Sequence, residues 1–257
     1  MRDALLAAVD ESPAAVAAHD KPRWLALFTT SAVVNDPVGS APHRGAQQLA
    51  RFYDTFIAPN RIRFEVAHDI VCGRDVLRDL TIVIAMSDRV TLRVPAHLHY
   101  SMTEAAQINR LAAHWELGPM IGQLLGTGAA AAPVAGRLSV GLLRNQRLGG
   151  ALGFARGFGG VGARAKRQAT ALLQALAIGD VPAAERGCTP SPVLRFGGRA
   201  VASTAELGRH LAGWRIGKTL AAGRTVSVTL TAGEACGVAL VEFAGRAVSA
   251  VTVYVDD

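Results

Sequence analysis

Asp36 closes an apolar run, Ala32-Val33-Val34, and is followed at once by Pro37-Val38-Gly39-Ser40. A carboxylate held at the mouth of an apolar pocket can act as a proton-transfer base. An Asp-Pro pair is equally a turn or capping element, so the reading depends on what surrounds it. His97 and His99 alternate on one predicted strand, and their side chains therefore share a face. If that face is concave, both point into a pocket with Leu111, Ala113 and Trp115, and an imidazole beside Asp36 makes an acid–base pair near neutral pH. If it is convex, they are solvated strand histidines. Glu65 stands in the alternating run from Arg61 to Ile70, either as a second pocket carboxylate or as an exposed polar position. No third ligand accompanies His97 and His99 at useful spacing, so no metal site is predicted. The three cysteines Cys72, Cys188 and Cys236 are widely spaced and read as reduced thiols. No cofactor is predicted.

The elements that must position these residues fall into three regions. Residues 1–120 predict an α+β unit. Leu5, Leu6, Val9 and Val16 mark a helical segment interrupted near Ser12-Pro13. Pro22 opens a second helix with Asp20 as its cap. A strand follows at Ala32–Asn35, then a helix over Gly45–Ile57 with Leu49, Phe52, Tyr53 and Phe56 at helical spacing. Strand-like runs come next: Ile62–Ile70, Asp75–Met86, Val90–Leu98 and Ile108–Trp115. Helices followed by a meander of long strands predict a curved antiparallel sheet wrapped on helices.

Residues 121–162 are rich in Gly, Ala, Leu and Arg and predict a linker with one or two short helices. Residues 163–257 repeat the first order of elements in shorter form, which predicts a second, degenerate unit. There Ser191-Pro192-Val193 stands in the place of Asp36-Pro37-Val38. With Ser191 in the carboxylate's place, the second unit is predicted to be catalytically inert.

The charge follows the same division. Between Glu116 and Asp180 there is no acidic residue, and seven basic ones lie there, which accounts for the whole net charge of +7. An anionic partner would meet the protein on that segment. Arg137, Arg144 and Arg147 set off from Leu138, Leu142 and Leu152 predict a peripheral membrane contact; a linker packed on its own domains is the other reading. Aromatics are 5% of the chain, few to stack on bases, so nucleic acid is not a predicted partner. No run of about 20 apolar residues and no leader pattern is present, which predicts a cytoplasmic protein, with membrane association as the alternative.

Ala26-Leu27-Phe28, Val33 to Gly39, Arg44-Gly45, Phe52-Tyr53, Val94-Pro95 and the strand to Trp115 together resemble the ketosteroid isomerase branch of the NTF2-like (SnoaL-like) superfamily. The resemblance implies a tandem of two cones of curved sheet closed by helices, packed on each other as an intrachain pseudo-dimer, the first enclosing an apolar pocket. It implies a steroid-like or polyketide-like ligand and Asp36 as base, beside an oxyanion hole that in the family is a tyrosine and a protonated aspartic acid. The tyrosine's place falls on Ser12 and the aspartic acid's on His97, while Tyr53 matches a supporting tyrosine. Three functions follow from the resemblance. One is an isomerase using Asp36 and His97, with Ser12, Tyr53, His99, Leu111 and Trp115 around the ligand. The second is a non-catalytic lipid or steroid carrier with a membrane-facing basic linker. The third is an epoxide hydrolase, as some relatives are, using Asp36 with Glu65.

Overall fold

A computed structural model describes residues 1–140 and 160–256. They form two units, each an α+β arrangement of helices on a six-stranded mixed sheet. Arg144, Arg147, Leu142 and Leu152 lie outside the described residues.

In the first unit, Leu5, Val9, Ser12 and Val16 recur at the three- and four-residue spacing of one helix face. All four are buried, and α1 (Arg2–Ala17) runs straight through Pro13, where the sequence predicts a break. An interior proline costs about 3 kcal/mol; burial of this stripe outweighs it. Asp20 caps α2 (Lys21–Ala26) as predicted, its Oδ1 accepting from the Arg23 N–H at 3.0 Å, with Pro22 in the first turn. Strands β1 (Phe28–Asn35) and β2 (His43–Arg44) lead into α3 (Gly45–Phe52). Gly45 has φ +69°, and a Cβ there would lie 3.4 Å from the Thr30 carbonyl oxygen, so the helix opens where a side chain is strained. The single helix predicted over Gly45–Ile57 ends instead in a wider π-type turn, Tyr53–Ile57. Tyr53 packs there on Trp24, ring centroids 5.5 Å apart, and Trp24 also meets Phe28 and Phe52.

Strands β3 (Arg61–Cys72), β4 (Asp75–Ser87), β5 (Val90–Met102) and β6 (Ile108–His114) complete a sheet of order β2-β1-β6-β5-β4-β3. β1 runs parallel to β6, and β5 pairs antiparallel with β4 and β6. The register sets Tyr100 opposite Val76 and Leu111, and His97 opposite Asp79 and His114. Residues 121–126, which composition assigns to the linker, are the second half of α4 (Leu117–Gly126). Gln123 fastens α4 to β5, accepting from the Arg93 N–H at 2.9 Å and donating to the Arg93 carbonyl at 2.8 Å. A further helix, α5, covers 131–140, buries Ala131 and Val134, and carries Arg137, whose guanidinium donates to the Met86 carbonyl. No described helix is long and apolar enough to cross a membrane.

The second unit contains α6 (Gly162–Ala177), α7 (Val181–Glu185), β7 (Cys188–Phe196), β8 (Arg199–Ala200), α8 (Thr204–Leu211) and strands β9 (Arg215–Ala222), β10 (Thr225–Ala232), β11 (Ala235–Ala244) and β12 (Ala247–Val255). Its sheet order, β8-β7-β12-β11-β10-β9, repeats the first. Asp180 caps α7 with Pro182 behind it, as Asp20 and Pro22 do in α2. The register corrects one expectation. Val33 and Val193 hold the same place against the parallel neighbour, as do Asn35 and Arg195. The residue in Asp36's place is therefore Phe196, not Ser191. Ser191 is an exposed residue in the middle of β7, because that strand extends through the Ser-Pro pair instead of turning at it.

Candidate active site

A tight loop fixes Asp36 at the end of β1. Asn35 Nδ2 donates to the Ser40 carbonyl at 2.9 Å, and the Ser40 N–H and hydroxyl donate to the Pro37 carbonyl at 3.0 and 2.6 Å. The Val38 N–H donates to the Ala113 carbonyl at 2.8 Å, which ties the loop to β6. The Asp36-Pro37 peptide bond is cis, and Gly39 takes φ 97°. Trp115, one residue past β6, donates its indole N–H to Asp36 Oδ1 at 2.5 Å.

Both residues line a cavity between the helices and the inner face of the sheet. It offers about 130 Å³ to the centre of a water-sized sphere, about ten times what a single buried water needs. The wall is apolar, with Phe64, Ile82, Ile84, Val94, Leu98 and Leu111 among its residues, and Met120 of α4 and Leu138 of α5 reach in from the helices. Asp36 keeps some exposed surface, but burial pushes its carboxyl up to about 6, partly opposed by the Trp115 hydrogen bond. It is the one acidic residue among the described residues of the wall.

Tyr100, which the sequence analysis overlooks, stands on the same wall. Its hydroxyl is hydrogen-bonded with the Ser12 side chain. Burial pushes this phenol up to about 12, with a smaller push from Asp36 and opposing pulls from Arg78 and Ser12, so it stays a donor at neutral pH. Arg78 is buried behind it and forms ion pairs with Asp10 and, at 2.8 Å, with Asp69. Ser12 thus lines the cavity and supports Tyr100 from α1.

The structure brings Asp36, Ser12, Leu111 and Trp115 together and separates the other predicted residues from them. His97 and His99 point to the opposite face of the sheet, because the residues of β5 that line the cavity are Val94, Leu98 and Tyr100, and side chains alternate. On that other face His99 Nε2 lies 2.8 Å from Asp75 Oδ1, and His97 Nε2 lies 3.8 Å from Asp79 Oδ2. His114 joins them and is pushed down to about 3, chiefly by burial. No group of three among the described residues could hold a metal ion. Tyr53 is buried in the Trp24 aromatic cluster and does not line the cavity. Glu65 alternates outward from Ile62 and Phe64; it forms ion pairs with Arg63 at 3.0 Å and with Arg93, which holds its carboxyl below the usual range.

A SnoaL-like domain is what this site and sheet define: residues 9–117 match the family model of that name. The first unit is a SnoaL-like domain, and the chain carries two units of the NTF2-like fold. Among solved structures, the chain is similar to a Delta 5-3-ketosteroid isomerase from Mycobacterium sp., at 28% identity over 45% of this chain and 95% of that one, TM-score 0.43. A Mycobacterium tuberculosis protein solved with estradiol-17beta-hemisuccinate is 25% identical over 45% and 95%, TM-score 0.42. An LEH-like epoxide hydrolase of M. tuberculosis is 16% identical over 52% and 97%, TM-score 0.44. No curated protein matches the chain.

Proposed function

We propose that the first unit is an isomerase of apolar unsaturated ketones, with Asp36 as the base. The Asp36 carboxylate removes a proton from the carbon beside the carbonyl. The electron pair moves into an enolate, and the Tyr100 hydroxyl donates a hydrogen bond to its oxygen. The protonated Asp36 then returns the proton to the γ carbon, and the double bond is left conjugated with the carbonyl. One observation carries this reading: a lone carboxyl with its pKa near 6 stands in an apolar cavity that also holds a buried phenol. A base with that pKa is largely ionised at pH 7 and, once protonated, is still acidic enough to give the proton back.

The epoxide hydrolase reading needs a second carboxyl beside Asp36, and Glu65 is engaged with Arg63 and Arg93 elsewhere. The carrier reading needs the same cavity and no turnover. Turnover of 5-androstene-3,17-dione, followed by conjugated-enone absorbance, separates the two. Catalysis that disappears in Asp36→Asn supports the isomerase. Binding without turnover in the wild type supports the carrier and overturns the isomerase.

A further inference from the structure

Asn60 is a further polar residue of the cavity wall, and the proposed chemistry does not use it. It follows the π-type turn, its N–H donating to the Ile57 carbonyl at 3.0 Å and its Nδ2 to the Phe56 carbonyl at 2.9 Å. The second bond orients the amide: a flip would set two oxygens against each other. Oδ1 therefore faces away from Phe56, and this buried acceptor has no hydrogen-bond partner among the described residues. A buried acceptor left unmade costs about 1–3 kcal/mol, so such a group invites a donor.

Asn60 lies far along the sheet from Asp36 and Tyr100. Its neighbour Arg61 forms an ion pair at 3.2 Å with Asp88, just past the end of β4, and Asn60 shares the cavity wall with Met86 near that end. Tyr100 pairs with Val76, near the beginning of β4. Ile82 and Ile84 form the apolar wall of β4 between the two. The cavity is therefore polar at both ends and apolar between them.

We propose that Asn60 Oδ1 accepts a hydrogen bond from a ligand hydroxyl at the end remote from the carbonyl, so that the ligand class is an elongated apolar hydroxyketone. The orientation of the ligand rests on the reading of Asp36 and Tyr100 given above; the acceptor role of Asn60 does not. The competing account is a water from the smaller cavity that Asn60 also borders with Asp54, Thr55 and Arg137.

The test is a matched pair of probes, testosterone and androstenedione. They share one ketone end and differ at the other by a hydroxyl against a second ketone. Affinities are read by isothermal titration on the full chain. The wild type is expected to bind testosterone about 3- to 10-fold more tightly, the range of one net hydrogen bond. Asn60→Leu is expected to remove that preference, and Asn60→Asp, which keeps an acceptor, to retain it, with circular dichroism reporting that both variants fold. Equal affinities in the wild type, no binding of either probe, or a preference that survives in Asn60→Leu overturns the proposal. Failure of the isomerase reading is a separate result: if Asp36→Asn leaves turnover intact while the hydroxyl preference is present, the base is misassigned and the Asn60 site stands.

Discussion

The two units share one topology and differ in what occupies their interiors. The strand registers and helix caps align them residue by residue. Asp36 in the first unit corresponds to Phe196 in the second, Tyr100 to Val241, Trp115 to Val255 and Ser12 to Leu172. Each of these four groups of the first cavity thus has an apolar counterpart. Phe196 stacks on His210 at 4.5 Å, and the second interior is filled by residues such as Leu172, Leu176, Leu207, Val226 and Val241. The comparison teaches that the fold itself asks for no polar interior. Asp36, Tyr100 and Ser12 are placed at a cost the second unit avoids, since a buried carboxyl is disfavoured in its charged form.

The largest effect that tests this contrast is on turnover. Asp36→Asn is expected to lower the rate at least about 100-fold, the scale of a positioned general base, and an enone assay with retained activity would remove the functional distinction between the units. Tyr100→Phe comes next, with kcat lower by about 10- to 100-fold and little change in KM, because the lost donor acts on the enolate more than on the ketone. A matching rise in KM with kcat unchanged would make Tyr100 a binding group only.

Phe196→Asp carries the first unit's carboxylate into the second. It is expected to generate no turnover and to destabilise the chain by about 2 kcal/mol through lost packing and an unpaired acid, read as a lower denaturant midpoint. Stability of the wild type depends on pH through Asp36. Its folded pKa, about 6, is above the ordinary carboxyl value of 3.8, so the folded state holds the proton more tightly. This contribution to stability is present below about pH 4 and is lost as pH rises toward 6. Asp36→Asn should therefore stabilise the chain by about 3 kcal/mol at pH 7, read as a higher melting temperature, and give no gain at pH 3.5. Activity runs the other way, with kcat/KM half-maximal near pH 6. Glu65→Gln should give the smallest effect, turnover within about twofold and an unchanged denaturant midpoint.

The first helix cap and the strand segments were legible because they depend on local chemistry, whereas the parallel pairing of β1 with β6, in a sheet expected to be antiparallel, was not. Asp20 with Pro22 behind it, and the strand runs over Asp75–Ser87 and Ile108–His114, follow from residue type and period. His97 and Tyr100 show the limit. On β5 the even residues Val94, Ala96, Leu98 and Tyr100 form the more consistently apolar series, and that series marks the inner face. The odd residues carry the histidines, which drew attention by their chemistry, although a strand's two faces are told apart by burial and not by reactivity. Ser191 misled for a related reason: a Ser-Pro pair reads as a turn, yet β7 runs from Cys188 to Phe196 without one and pairs with β12 on either side of it.

The sequence by itself determined that Asp36 ends a strand in a held turn, that two α+β units follow one another, and that the excess positive charge lies between Glu116 and Asp180. These are properties of neighbours along the chain. The tertiary structure alone decided that Trp115 bonds to Asp36, that Tyr100 with Ser12 and not His97 faces it, and that Glu65 turns away. Those outcomes depend on strand register and on which sheet face the helices cover, and a shift of one residue would reverse them all.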